Sequence, residues 1–114
     1  MQCLLLIYDQ EKRWTNLGEA EQSADYQEYE AFGKEFEKTI QTGNALQPTA
    51  SAKTVRVRNG KNLVTDGPFA ETKEQLGGYY LVEAKNADEA IAIAAKIPWA
   101  RYGSIEVRPI MTFS

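Results

Sequence analysis

Histidine is missing altogether from this 114-residue chain. Its absence removes the side chain that most often moves protons near neutral pH, and also the commonest metal ligand. Acid/base work therefore falls to Asp, Glu, Tyr, Lys or Cys. There is a single cysteine, Cys3, inside an apolar run, so no intrachain disulfide and no thiolate metal cluster can form. It reads as a small buried hydrophobe. No apolar run is long enough to cross a bilayer, and the opening MQCLLLIYDQ lacks the positive start and small-residue cleavage site of a secretory leader. The expected location is the cytoplasm, with no membrane partner. Positive charge is in deficit too: 13 basic against 16 acidic residues give a net charge of -3, with no basic tail or stripe. Direct nucleic-acid binding is not expected from such a balance. Phosphate loops, metal-ligand spacings, nucleophile elbows and dinucleotide fingerprints are absent as well, so neither a metal nor a cofactor is expected. No repeat, low-complexity tract or linker divides the chain, which reads as one domain over residues 1–114 that buries roughly two-thirds of its unfolded surface.

What is present alternates between two periods. CLLLIY, residues 3–8, is apolar on both faces and predicts a strand that is covered on each side. From Gly18 to Thr42 the period lengthens, with Tyr26, Tyr29, Phe32, Phe36 and Ile40 at helical spacing. The pattern predicts a long helix capped by Gly43 in the left-handed region, its aromatic stripe facing the core. KTVRVRNGKNLVTDG predicts a hairpin turning at Asn59-Gly60, the pair a type I′ turn favours. A strand over 78–84 follows. A second helix then opens at Asn86, with Glu89 in capping-box position and Ala90, Ile91, Ala94 and Ile97 as its buried face. The last strand spans 104–110, with Ile105 and Val107 on one side and Glu106 and Arg108 on the other. The order is a split βαβ arrangement, an α+β ferredoxin-like sandwich with an added strand or hairpin. Two helices cover one face of such a sheet, so the other face is expected to meet a second copy about a two-fold axis.

TDGPFAETKEQLGG, residues 65–78, admits two readings. In the first, Asp66, Gly67 and Pro68 only bend the backbone, Phe69 tucks into the core, and Gly77-Gly78 marks a bulge or a close approach. In the second, strands hold the loop as a binding element, and Asp66, partly buried by Phe69, shuttles a proton. Arg108 has the same two faces. It either pairs with Glu106 or across the dimer, or it binds an anion in a cleft to which Tyr8 or Tyr79 donates a hydroxyl.

The run VTDGPFAETKEQLGGYYLVEA, the ALQP at 45–48, TVRVRNGK and the closing IEVRP together resemble the DGPF branch of the YCII-related family. The resemblance covers nearly the whole chain and implies a ferredoxin-like domain of the dimeric α/β-barrel type. Members of the wider family resemble small enzymes that use a His-Asp pair, including a dehydrochlorinase acting on a chlorinated aromatic. Gly67-Pro68 matches the family's strand-end loop, but the histidine has no counterpart here, so the dyad is not carried over. Branch genes often neighbour those of extracytoplasmic-function sigma factors. The expectation is a homodimer that binds a small anionic or aromatic molecule near Tyr8, Gly67, Pro68, Phe69, Tyr79 and Arg108, with Asp66 as the base of any cofactor-free chemistry. The alternative is an accessory protein acting on a sigma factor or other regulator by protein contact.

Overall fold

The computed structural model describes residues 1–113. Its framework is a four-stranded antiparallel sheet in the order β2-β5-β1-β6, built from β1 (Gln2–Asp9), β2 (Ile40–Ala45), β5 (Gln75–Glu83) and β6 (Ser104–Pro109). The helices α1 (Glu11–Thr15), α2 (Glu19–Glu35) and α3 (Ala87–Ala95) complete the split βαβ plan, and the fold is ferredoxin-like α+β. Strands β3 (Lys53–Arg58) and β4 (Lys61–Asp66) form a separate two-stranded sheet inserted between β2 and β5.

The strict alternation of burial along β1 shows how the sheet is dressed. Cys3, Leu5, Ile7 and Asp9 are buried, while Leu4, Leu6 and Tyr8 are only half-buried. The buried set meets Phe32 of α2 and Ala90, Ile93, Ala94 and Ile97 on and just beyond α3, with Val82 and Ala84 completing the core. On the opposite face Leu4 pairs with Leu81 and Arg108, and Leu6 pairs with Tyr79 and Glu106. Among the described residues no element forms a third layer there. Asn86 caps α3 by accepting the amide of Glu89 at 2.9 Å, as its position predicts.

Several expectations change. The long helix is α2, which ends at Glu35 with Phe36 as its C-cap, and residues 40–45 form the edge strand β2. Ile40 therefore belongs to a strand. Gly43 is not a left-handed cap, since Gly60 and Gly67 are the glycines with positive φ. The reason for a glycine at 43 is space, because a Cβ there would lie 2.5 Å from the Tyr80 ring and 2.8 Å from the Tyr79 carbonyl. Helical spacing carried past Phe36 was misleading because apolar residues three and four apart also fit a turn followed by a half-buried edge. Tyr26 is exposed and Ile91 is 55% exposed, whereas Ile93 takes the buried position. Phe69 is 80% exposed and does not tuck into the core. The hairpin turns as expected at Asn59 (φ 53°) and Gly60 (φ 74°). Gly77 is the extra residue of a bulge: Ile7 pairs with Gly78 while Tyr8 pairs with Leu76.

The hairpin alters the shape of the whole molecule. The radius of gyration is 16.1 Å and the extents are 47 × 47 × 20 Å, against about 13 Å for a compact chain of this length.

Candidate functional site

The most developed concavity lies at the α2 side of the sheet, where β2 and the bulged start of β5 leave a gap. It is a cavity of about 650 Å³ lined by six aromatic residues, Trp14, Tyr26, Tyr29, Tyr79, Tyr80 and Trp99. Gly43, Gly77 and Gly78 also border it, and its polar lining comes from Asp25, Gln22 and Asn44. The size suits a small organic ligand.

Local structure brings the rings together. Asp9, 2% exposed at the end of β1, accepts from the Gln10 amide at 2.7 Å and from Arg13 Nε at 2.5 Å, which turns the chain into α1. Glu11 ties that short helix down. Its amide donates to Gln75 Oε1 at 2.9 Å, and its carboxylate accepts from the Thr49 amide at 2.5 Å and the Thr49 hydroxyl at 2.9 Å. Trp14 is thereby laid on the bulge. A Cβ at Gly77 would stand 3.0 Å from the Trp14 ring and 3.4 Å from Trp99, so glycine is what lets the indoles sit against the strand.

Trp99 comes from a 3-10 turn, Pro98–Arg101, after α3. It stacks on Trp14 with centroids 4.9 Å apart and planes 16° apart, and it meets Tyr29 edge-on at 5.9 Å. Its indole Nε1 donates to Asp25 Oδ2 at 3.0 Å. The Arg13 guanidinium lies 5.0 Å from the Trp99 ring centre and 4.1 Å from that of Tyr102. One Arg13 nitrogen, Nη2, is buried without a hydrogen-bond partner among the described residues. The cavity wall is thus a locked assembly of Asp9, Arg13, Trp14, Trp99 and Asp25.

Burial pushes the Tyr29 phenol well above its ordinary value of 10.0, with the neighbouring Tyr80 adding to the shift. The Tyr80 phenol is raised as well, again by burial. Both hydroxyls stay neutral at physiological pH, offering hydrogen bonds and ring surface rather than phenolate charge. Among the described residues no cluster of acidic or thiol side chains is arranged to hold a metal ion.

The residues expected from sequence are distributed over two other places. Asp66, its side chain 82% exposed, ends β4 and pairs with Lys53 across the hairpin. Gly67 (φ 93°) follows it, and its carbonyl accepts from the Thr54 hydroxyl at 2.8 Å. Pro68 and Phe69 are exposed at the same loop. Tyr8 and Arg108 belong to the open sheet face, where Arg108 pairs with Glu106. Tyr79 borders the cavity by its position in β5, but its register opposite Leu6 sets its side chain on the open face, where its hydroxyl oxygen accepts from Asn44 Nδ2 at 2.9 Å. Within one chain, then, only Tyr79 borders the aromatic cavity, and the others lie apart from it.

Sequence reasoning passed over Trp14, Asp25 and Trp99. A usable signal was present in the chain's two tryptophans and in Gly77, which leaves room for them.

Comparison with known proteins now adds an identity at the level of family. The YCII-related domain model matches residues 1–114, and the chain belongs to that family. An uncharacterized protein of Rhizobium meliloti (strain 1021) is 47% identical over 70 residues. That match covers 60% of this chain and 56% of the relative, so the chain aligns with little more than half the relative's length. No helix among the described residues is long and apolar enough to cross a membrane.

Proposed function

We propose that this YCII-related domain is a small-molecule binding protein whose ligand is a compact aromatic compound held in the cavity between α2 and the β2-β5 edge. The observation that carries the reading is the lining itself, in which the rings of Trp14, Tyr26, Tyr29, Tyr80 and Trp99 border a space of about 650 Å³, and Gly43 and Gly77 let Tyr80 and the two indoles lie against the strands that floor it. A core position would close such a gap, since interiors pack to crystal-like density. A thermal-shift screen of phenolic and other small aromatic compounds tests it. The expected outcome is a raised melting temperature that is lost in Ala45→Leu, which pushes a larger side chain in from the edge strand. Equal shifts in both proteins, or none in either, would contradict the reading.

The protein works as a homodimer in this proposal. Leu4, Leu6, Tyr8, Tyr79 and Leu81 are only half-buried on a sheet face that none of the described elements covers, which supports a second copy there. The dimer is also the setting in which Asp66 would act as a base, with Tyr8, Phe69 and Arg108 on the ligand, because one chain alone does not gather them. Sedimentation tests the assembly. Contact with a regulator such as an extracytoplasmic-function sigma factor is a second reading, favoured by exposed apolar side chains on the hairpin: Val55, Val57, Leu63, Val64 and Phe69. A monomer in sedimentation together with a blank ligand screen would turn the balance toward that reading.

A further inference from the structure

The cavity's electrostatics narrow the ligand class. Asp25 is the charged residue of the lining, with Gln22 and Asn44 as its neutral polar neighbours. One of its oxygens accepts from Trp99 Nε1 at 3.0 Å, and Oδ1 has no hydrogen-bond donor among the described residues. Arg13, whose guanidinium lies over Trp99 and Tyr102, is already engaged: Asp9 Oδ2 holds its Nε at 2.5 Å. Asp9 and Arg13 offset one another, so the charge left facing the space is the carboxylate of Asp25. The surrounding rings reinforce its sign, because aromatic faces carry negative quadrupole potential and attract cations, most strongly when the site is shielded from water. A carboxylate ligand would face Asp25 and the ring faces with no free cation among the lining residues to pair with, and burying an unpaired charge is costly.

We infer that the cavity selects an organic cation: a protonated or quaternary amine carried on a small aromatic or apolar body, its charge seated by Asp25 and the aromatic rings. This inference rests on the reading of the cavity as the ligand site.

Trp14 and Trp99 are the protein's two tryptophans and both line the cavity, so intrinsic fluorescence reports its occupation directly. The experiment titrates the intact protein with three probes of similar size and different charge, benzylamine, benzyl alcohol and benzoate, at neutral pH. Benzylamine is expected to bind about tenfold more tightly than benzyl alcohol, with benzoate weakest. In Asp25→Asn the amide oxygen can still accept from Trp99, so the wall is kept while the charge is lost. There the amine's advantage over the alcohol is expected to fall from about tenfold to within about twofold. Benzyl alcohol or benzoate binding as tightly as benzylamine in the wild type would overturn the cation assignment and leave the cavity reading standing. A preference for the amine that survives Asp25→Asn would overturn it too. Quenching by none of the three would remove the cavity reading along with it.

Discussion

The body of the domain and its projecting hairpin follow the same sequence grammar but end in opposite environments. In β1, alternate residues are buried down to Cys3 and Leu5, which expose nothing. In β3, Val55 and Val57 alternate with Thr54, Arg56 and Arg58 just as regularly, yet both valines remain more than half exposed, at 61% and 58%. Alternation records that one face of a strand is meant to be dry; it does not record which molecule dries it. A two-stranded hairpin alone is marginally stable in water. The hairpin leaves its apolar side chains exposed, whereas the body is packed on its helical side.

The sharpest contrast comes from glycines. At Gly103 a Cβ would fall 1.9 Å from the Tyr8 carbonyl and 3.0 Å from Asp9 Cα, inside the turn that sets the end of β1. Gly103→Ala is expected to cost about 4 kcal/mol or to prevent folding. Gly60→Ala, at φ 74° with nothing near it, is expected to cost about 1 kcal/mol in chemical denaturation. Core truncation comes next. Leu5→Ala should destabilise by about 3 kcal/mol, against about 0.5 kcal/mol for Val57→Ala in dilute protein. If the cost of Val57→Ala grows with protein concentration, a second copy covers the hairpin; if it stays constant, the hairpin is not part of a self-interface.

The open sheet face gives a third test. Leu6→Lys places a charge opposite Tyr79 and Glu106. It is expected to turn a dimer into a monomer in sedimentation velocity while shifting the melting of the body little. Smallest is the alkaline effect. Because the Tyr29 and Tyr80 phenols are raised by burial, the unfolded chain loses those protons first as pH climbs past 10.0, and stability falls from there toward the higher folded values. Below that point the contribution is fully present. In urea titrations from pH 8 to 11, Tyr29→Phe should flatten the alkaline decline relative to wild type.

Much of this was legible before the structure, and the limits have physical causes. Asn59-Gly60, Asn86 with Glu89, and the both-faces-apolar β1 announced themselves because each depends on local chemistry: positive φ, an orphan amide, a period of two. Residues 40–45 did not, since an edge strand needs few apolar side chains and its glycine answers to Tyr80 rather than to its own neighbours. The aromatic stripe of α2 was read as core, and Phe32, Tyr29 and Phe36 pack there, but Tyr26 is exposed at the rim of the cavity that Tyr29 also borders, a distinction set by what stands opposite them. The site escaped for the same reason. Trp14 and Trp99 are 85 positions apart in number, and their stacking exists only because α1 is tied to Gln75 and Thr49. The DGPF loop drew attention for its turn chemistry, and that chemistry is real: Gly67 holds a φ of 93° that a side chain would resist.

The measurement that tests the account most directly is an amide and indole chemical-shift footprint of the intact protein titrated with benzylamine. Shifts at Gly43, Gly77, Gly78 and the two indole N–H signals, with the hairpin loop unchanged, are the predicted result. Shifts concentrated at Tyr8, Arg108 and the loop of Asp66, Gly67 and Phe69, with the indoles silent, would contradict it and move the site to the open sheet face and that loop.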